Sequence, residues 1–155
     1  MTETAKSSFV YVTYIRTTPE KLWAALTTSE FMTKYWFGMK IDTDWKTGSP
    51  WKLAFPDGRV ADAGEIVEIE KPNRLVLNWR NQFRPELHEE GYARCVMKIE
   101  PAGEVVKLTI IHEIDKPGSK LIGAVSIGWP KILSSLKTLL ETGSALPAIG
   151  ELPRG

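Results

Sequence analysis

His112 and Glu65 are the two residues whose types and positions could support acid–base chemistry. His112 ends a strand-like run in which Val106, Leu108 and Ile110 share its face by a period of two. If that face looks toward the core, the imidazole could orient a ligand or transfer a proton, or it could be a structural histidine. The pattern around Glu65 is consistent with either a buried acid or an exposed strand glutamate. Catalysis would require both groups to point into one water-poor pocket.

Tryptophan is the outstanding feature of the composition, with six in 155 residues. Its side chain packs a large area and carries one N–H that needs a partner, so such residues either fill a core or line a cavity for a flat apolar ligand. The candidate lining residues are Trp36, Phe37, Trp51, Phe55, Trp79, Phe83 and Trp129. Arg94 is a further candidate, because a guanidinium can clamp a ligand carboxylate, although surface solvation also explains it.

The sequence gives no support for metal or cofactor chemistry. The stretch His88-Glu89-Glu90 lacks the H-E-x-x-H spacing that places two imidazoles on one helix face. The chain has only two histidines and one cysteine. It contains neither a glycine-rich phosphate loop nor a G-x-S-x-G nucleophile elbow. Cys95 lies in the apolar strand pattern ARCVMKI, which predicts a buried, unreactive thiol. We therefore expect no metal and no cofactor.

Composition and charge are those of an ordinary globular chain. Hydrophobic residues make up 43% and charged residues 25%, which excludes a disordered chain and allows one sizeable core. The formal net charge is +1, so neither nucleic-acid binding nor membrane-surface binding is expected. No apolar run approaches the roughly 18 residues of a membrane-spanning helix, and the first residues lack the order of a signal peptide. The cytoplasm is the expected location, because its reducing conditions suit a single cysteine.

The elements that must position these residues change their hydrophobic period along the chain. Residues 8–16 are rich in aromatic and β-branched side chains, which predicts a strand. Thr18-Pro19-Glu20 predicts the start of one short helix, and Ser29 the start of a second. The stretch 81–90 is expected to be a long loop or an extension of its flanking strands. Period-two patterns predict six further strands, near 39–44, 50–55, 60–70, 74–80, 91–100 and 105–114.

A long amphipathic helix is predicted between Ser119 as its N-cap and Gly143 as its C-cap, with a kink or restart at Pro130. Strands joined by short turns pair as antiparallel neighbours. The predicted fold is therefore α+β: a curved antiparallel sheet of about six or seven strands wrapped on one long C-terminal helix, with two short helices after strand 1. A wedge between sheet and helix either fills with side chains or stays open as a pocket.

Several segments, in their order and spacing, resemble the START/SRPBCC superfamily, whose helix-grip fold is shared with the birch-pollen allergen. Within it the chain is most similar to the activator-of-heat-shock-ATPase-like family. The resemblance covers residues 8–143, which are expected to form a single domain between a loose N-terminus at 1–7 and a C-terminal tail at 144–155. The segments that carry it are TPEKLWAALT (18–27), YW (35–36), GEIVEI (64–69), RLVLNW (74–79), LTIIH (108–112) and GWP (128–130), followed by Leu133, Leu136 and Leu140.

The resemblance implies three kinds of function. Superfamily relatives bind lipids, sterols, polyketides or plant phenolics between sheet and helix, so the first hypothesis is a binding protein for a small hydrophobic or aromatic ligand. The second is a cyclase- or dehydratase-like enzyme that uses His112 and a carboxylate such as Glu65. The third is a co-chaperone-like module, since the eukaryotic namesakes stimulate a heat-shock chaperone ATPase. We expect a small apolar molecule as partner. A homodimer is compatible with the +1 charge, which gives little mutual repulsion.

Overall fold

The computed structural model describes residues 6–147 of the protein. The segments expected to be a loose N-terminus (1–7) and a tail (144–155) lie mostly outside these residues. In chain order the elements are β1 (Ser7–Ile15), α1 (Pro19–Thr27), α2 (Ser29–Tyr35), β2 (Lys40–Asp42), β3 (Pro50–Ala54), β4 (Val60–Glu70), β5 (Arg74–Asn81), α3 (Pro85–His88), β6 (Ala93–Ala102), β7 (Val105–Ile114) and α4 (Lys120–Thr142).

Seven strands form one antiparallel sheet in the order β1-β7-β6-β5-β4-β3-β2. From β2 to β7, sheet neighbours are also chain neighbours, because connections too short to cross the sheet join them. The exception is β1: the chain leaves it through α1 and α2, and β7 returns beside it. The α+β, helix-grip fold expected from the sequence is confirmed.

The two short helices begin where the sequence predicts. Thr18 is the N-cap of α1, where its Oγ1 accepts a hydrogen bond of 3.2 Å from the backbone N–H of Lys21. Pro19 occupies the first helical position, at which its missing N–H leaves no bond unmade. The second helix, α2, starts at Ser29 as expected. The start of α1 therefore follows from local capping chemistry, whereas Thr28, the N-cap of α2, makes no side-chain capping hydrogen bond.

The long helix α4 also has the predicted ends. Ser119 Oγ accepts a 3.1 Å hydrogen bond from the N–H of Ile122, and Gly143 ends the helix at a φ of 88°. Of the kink or restart expected at Pro130, the restart does not occur, since α4 is one helix from Lys120 to Thr142. Trp129 and Ile132 are buried on either side of the proline, and their packing holds the helix against the sheet across this position.

The segment after β5 is neither a plain loop nor only an extension of the strands. β5 continues to Asn81, and Pro85–His88 then form the short helix α3. Asn81 Oδ1 accepts the N–H groups of Phe83 at 3.1 Å and Arg84 at 2.8 Å, which turns the chain into α3. α3 contacts both β5 and α4, so this segment lies over one end of the space between sheet and helix.

The core lies between the inner face of the sheet and one side of α4, which contacts β1, β7, α2 and α3. Leu108, Ile110 and His112 of β7 are fully buried on that inner face, as their period of two predicts. Within residues 6–147, no helix has both the length and the apolar character needed to cross a membrane.

Candidate functional site

A cavity of about 100 Å³ lies between the inner face of the sheet and α4, and it is partly open to solvent. Gly128 on α4 leaves room for it, because a Cβ added there would meet no atom within 4 Å. Ala124, one turn earlier, adds a second small side chain to the same wall. Five of the candidate lining residues predicted from the sequence line this cavity: Trp36, Phe55, Trp79, Phe83 and Trp129.

The three tryptophans of the cavity form one continuous aromatic wall. The ring centroids of Trp36 and Trp129 are 5.4 Å apart, and those of Trp129 and Trp79 are 5.9 Å apart. Tilted and edge-to-face ring arrangements of this kind stabilise aromatic pairs by more than the burial of their surface area alone. Phe55 and Phe83 form a second, edge-to-face pair at 5.0 Å. The lining therefore presents ring surfaces from two separate aromatic groups, the three tryptophans and the two phenylalanines.

The other four ligand-binding candidates, Trp51, Phe37, Arg94 and His112, do not line this cavity. Trp51 is buried against a separate void of about 10 Å³, which has room for no more than about one water molecule. Phe37 is half-buried in the turn after α2, where its φ of 53° directs the chain toward β2. Arg94 is exposed on the outer face of β6, because Cys95 next to it faces the core and alternate strand residues point to opposite faces.

His112 is a buried neutral histidine behind the cavity wall. Its Nδ1 lies 3.2 Å from the indole Nε1 of Trp129, and an indole N–H can only donate, so Nδ1 accepts and the proton is on Nε2. Burial lowers the pKa of His112 to about 3. The Nε2 atom has no hydrogen-bond partner among the described residues. The ring packs on Trp79 at 5.2 Å between centroids, and no atom of His112 lines the cavity.

Glu65 is exposed, and the structure does not bring it together with His112. The register of β4 against β5 shifts between Ile66 and Glu68, where a β-bulge adds Val67 as an extra residue. Because of this extra residue, the residues before the bulge point to the faces opposite to those that simple alternation from Ile69 predicts. Ile66 is therefore buried, while Glu65 and Val67 point outward. The pair on which the enzyme hypothesis depends therefore does not form a site.

The acid that lines the cavity is Asp62, which the sequence analysis missed. Counted back from buried Ile66 by twos, Asp62 falls on the inner face of β4. A second register shift, opposite Leu53 and Ala54 of β3, lets the neighbouring Ala61 line the cavity as well. Burial raises the pKa of Asp62 to about 7, while hydrogen bonds from the side chains of Trp79 and Asn81 act in the opposite direction. Asp62 alternates with Gly64 and Ile66, but this pattern identifies it only once the structure shows that Ile66 faces the core.

Asn81 connects Asp62 to the segment that covers the cavity. Its Nδ2 lies 3.4 Å from Asp62 Oδ1, and its Oδ1 accepts the two N–H groups that begin α3. Asn81 is 5% exposed, so these partners compensate for its burial. Phe83 and Leu87, which follow in this segment, both line the cavity. Asn81 is therefore a positioning residue for one wall.

Glu90, at the far end of the same segment, caps α4. Its carboxylate accepts hydrogen bonds from the hydroxyl of Ser119 and from the backbone N–H of Lys120, the latter at 2.8 Å. Burial acts to raise the pKa of Glu90, but these hydrogen bonds outweigh it and the pKa is lowered. Glu90 thus ties the segment to the N-terminus of the helix. Among residues 6–147, no group of three or more His, Cys, Asp or Glu is arranged to hold a metal ion.

Cys95 is buried on the inner face of β6, as its strand pattern predicts. Burial raises the pKa of its thiol, which keeps it protonated and unreactive. The described residues that line the cavity thus provide aromatic rings and one carboxyl group, that of Asp62, and none of them is an activated nucleophile.

A comparison with protein-family models supports the fold. The model of the family described as Activator of Hsp90 ATPase homolog 1-like protein matches residues 16–141. Comparison with the curated proteins gave no match.

Three solved structures illustrate the likeness in fold. Protein MLL2253 from Mesorhizobium loti is 22% identical with a TM-score of 0.74, over 86% of this chain and 96% of that one. The Aha1 dimer from Colwellia psychrerythraea is 19% identical with a TM-score of 0.72, over 88% and 98%. PFC0360w, an HSP90 activator from Plasmodium falciparum, is 23% identical with a TM-score of 0.70, over 86% and 95%.

Proposed function

The chain belongs to the Activator of Hsp90 ATPase homolog 1-like family, and we propose that it binds a small aromatic or apolar molecule between its sheet and α4, with residues 8–143 acting as one domain. One observation carries this proposal: the cavity walled by Trp36, Trp79 and Trp129 is partly open to solvent. A concave, mainly apolar site with few polar groups is the usual form of a small-molecule site.

The size of the cavity limits what it encloses. An engineered apolar cavity of about 150 Å³ in another protein holds benzene, so a cavity of about 100 Å³ encloses at most one ring. A larger ligand would extend through the opening. The aromatic walls favour a flat ring over a branched aliphatic group, because ring pairs add about 0.5–1.5 kcal/mol to the energy of buried area.

Two glycines of α4 provide a matched test. Gly128 is buried and faces the cavity, whereas Gly123 is exposed on the same helix; a Cβ at either meets no atom within 4 Å. Gly128→Leu should fill the cavity, and Gly123→Leu should add the same side chain to the surface. We would titrate each variant and the wild-type protein with benzyl alcohol and follow tryptophan fluorescence.

The proposal predicts saturable binding of benzyl alcohol to the wild-type protein and to Gly123→Leu. Gly128→Leu should bind at least about tenfold more weakly, because the leucine occupies the volume that the ring needs. Equal binding by the two variants, or no binding by the wild-type protein, would contradict a ligand site in this cavity. Chemical denaturation of all three proteins checks that each is folded.

A second candidate function is docking to a chaperone of the Hsp90 type. It is favoured by the likeness to the Plasmodium HSP90 activator and by an exposed, uncharged stretch on the edge strand β1. There Val10, Val12 and Tyr14 are 57%, 43% and 50% exposed, which is typical of a protein-binding patch. Added protein should raise the ATPase rate of an Hsp90 chaperone, and Val12→Lys should abolish this effect; no stimulation by the wild-type protein would contradict it.

The expected homodimer and the cytoplasmic location stay predictions for this chain. The Colwellia Aha1 structure is a dimer, and native mass spectrometry would measure the state of this protein directly.

A further inference from the structure

The cavity contains one ionisable group, and that group is an acid. Among the described residues that line it, Asp62 is the one with a titratable side chain, and no Lys or Arg is present. The three arginines on the adjoining segments have other partners: Arg59 pairs with Asp57 at 2.8 Å, Arg84 pairs with Glu86 at 3.4 Å, and Arg80 Nε donates to the carbonyl oxygen of His88 at 2.9 Å. The interior of the site is therefore polarised toward negative charge.

We propose, resting on the binding function above, that the cavity selects a small organic cation: an amine carried on a single aromatic ring, whose ammonium group pairs with Asp62 while its ring lies against the tryptophans. This assigns Asp62 as the specificity-determining residue. It also narrows the ligand from any apolar molecule to one class, the protonated arylalkylamines.

The aromatic walls support the same charge preference. The face of an aromatic ring carries negative electrostatic potential and attracts cations, most strongly for tryptophan. Trp36, Trp79 and Trp129 all contribute ring surface to the cavity. An anionic ligand would meet both this potential and the Asp62 carboxylate, with no cation in the lining to offset them. A neutral ring would fit but would leave the carboxylate without a cationic partner.

Asp62 keeps acceptor capacity for a ligand. An ionised carboxylate has about four lone-pair sites. Its contact with Asn81 Nδ2 is 3.4 Å long, at the weak end of hydrogen-bond distances. Side-chain hydrogen bonding from Trp79 occupies a further site. An ammonium group brings up to three donors and would complete the coordination of the half-buried Asp62 carboxylate, whose partial loss of solvent otherwise lowers stability.

Protonation of Asp62 should couple to binding. Burial raises the pKa of Asp62 to about 7, and a bound cation would lower it by stabilising the carboxylate. The elements packed around Asp62 place no other titratable group in the cavity: β3, β5, α3 and α4 contribute apolar side chains and Asn81. His112 of β7 lies behind Trp79 and has a pKa lowered to about 3, so it stays neutral at the pH values at which Asp62 titrates.

Three probes of nearly equal size separate charge from shape: benzylamine, benzyl alcohol and benzoate. We would measure the affinity of each by calorimetry at about pH 8.5 and pH 5.5, where a primary amine stays protonated. The proteins would be wild type, Asp62→Asn, and Glu65→Gln as the control. Glu65 lies on the same strand but is exposed on the other face.

At pH 8.5 the wild-type protein and Glu65→Gln should bind benzylamine at least about tenfold more tightly than benzyl alcohol, and benzoate most weakly. Asp62→Asn should lose the preference for benzylamine over benzyl alcohol. At pH 5.5 the wild-type preference should shrink, because Asp62 is then protonated before binding. Equal binding of the amine and the alcohol would overturn the cation preference alone. No binding of any probe would overturn the proposed function with it.

Discussion

At the residue scale, the pair formed by His112 and Trp129 is a structural device. The indole N–H donates to Nδ1, and burial holds the pKa of the imidazole at about 3, far below its ordinary 6.5. A group that stays neutral over most of the pH range and does not line the cavity is unsuited to proton transfer with a ligand there. Its role is to fix the orientation of Trp129, which is part of the cavity wall.

The pKa of His112 predicts a specific loss of stability in acid. The unfolded chain takes up a proton near pH 6.5 and the folded protein only near pH 3. The free energy of unfolding should therefore fall as the pH decreases between these values, by up to about 1.4 kcal/mol per pH unit. His112→Phe should lack this contribution. Urea denaturation of both proteins at pH 7.5 and pH 5 measures it, and an unchanged difference between them would contradict a buried neutral histidine.

Asp62 predicts a pH dependence of the opposite sign. Its folded pKa of about 7 lies above the ordinary 3.8, so its contribution to stability is complete below about pH 3.8 and is lost as the pH rises toward 7. Asp62→Asn should therefore be more stable than wild type at pH 8, by about 1–2 kcal/mol given the partial exposure of the carboxyl. The difference should vanish near pH 4. A destabilised variant at pH 8 would show that Asp62 is held by interactions that favour its charge.

Residue identities in the cavity could be predicted only in part. Large aromatic side chains on inner strand faces and at helix ends are visible in the sequence, and Trp36, Phe55, Trp79, Phe83 and Trp129 were found in this way. For Glu65 the sequence left a buried acid and an exposed glutamate both open, because alternation through Val67 favours the first and the bulge there has no signature in the sequence; the structure shows the exposed alternative. Asp62 can be recognised as a cavity residue only once it is known which residues of β4 face the core.

At the element scale, β4 carries much of what distinguishes this site. One register shift of β4 lets the consecutive residues Ala61 and Asp62 both line the cavity. The other, at Val67, exchanges the residues that face the core and the solvent. Gly64 lies between the two shifts, where β4 passes close to β5. Trp51 packs beside it and donates its indole N–H to the carbonyl oxygen of Asn78 at 3.0 Å. The strand can approach so closely only without a side chain.

Gly64→Ala should therefore destabilise the protein strongly. A Cβ at this position would collide with the backbone oxygen of Asn78, which cannot move without breaking the β4–β5 ladder. We expect a loss of about 3 kcal/mol, the upper end of the usual cost of overpacking, because the colliding atom belongs to the backbone. Gly123→Ala is the control, since its Cβ meets open space on a helix and should be neutral or stabilising by about 0.5–1 kcal/mol. Denaturation midpoints compare them; a similar small change for both would contradict the close approach.

Helix ends were predictable because capping is local. Thr18, Ser119 and Gly143 all act at the positions that their types indicate. The segment between β5 and β6 was not predictable, because α3 depends on the hydrogen bonds of Asn81 and on the distant capping of α4 by Glu90. Contacts across 30 residues leave no periodic signal in a single sequence.

At the scale of the whole molecule, the order of elements was sufficient to predict the fold. Short connections require antiparallel neighbours, and one long amphipathic helix is the only predicted element able to cover the sheet. The cavity is different in kind. Its volume is the small difference between the space enclosed by sheet and helix and the volume of the side chains within it, so it depends on positions such as Gly128 and Ala124 that periodicity does not single out.

The most direct test of a ligand site in this cavity uses the six tryptophans as reporters. Titration of isotope-labelled protein with benzylamine should shift the NMR signals of the indole N–H groups of Trp36, Trp79 and Trp129, which line the cavity. The signals of Trp23 and Trp45, which do not line it, should stay in place. Shifts of Trp23 or Trp45 as large as those of the cavity tryptophans, or no shift of the latter at millimolar benzylamine, would contradict the account.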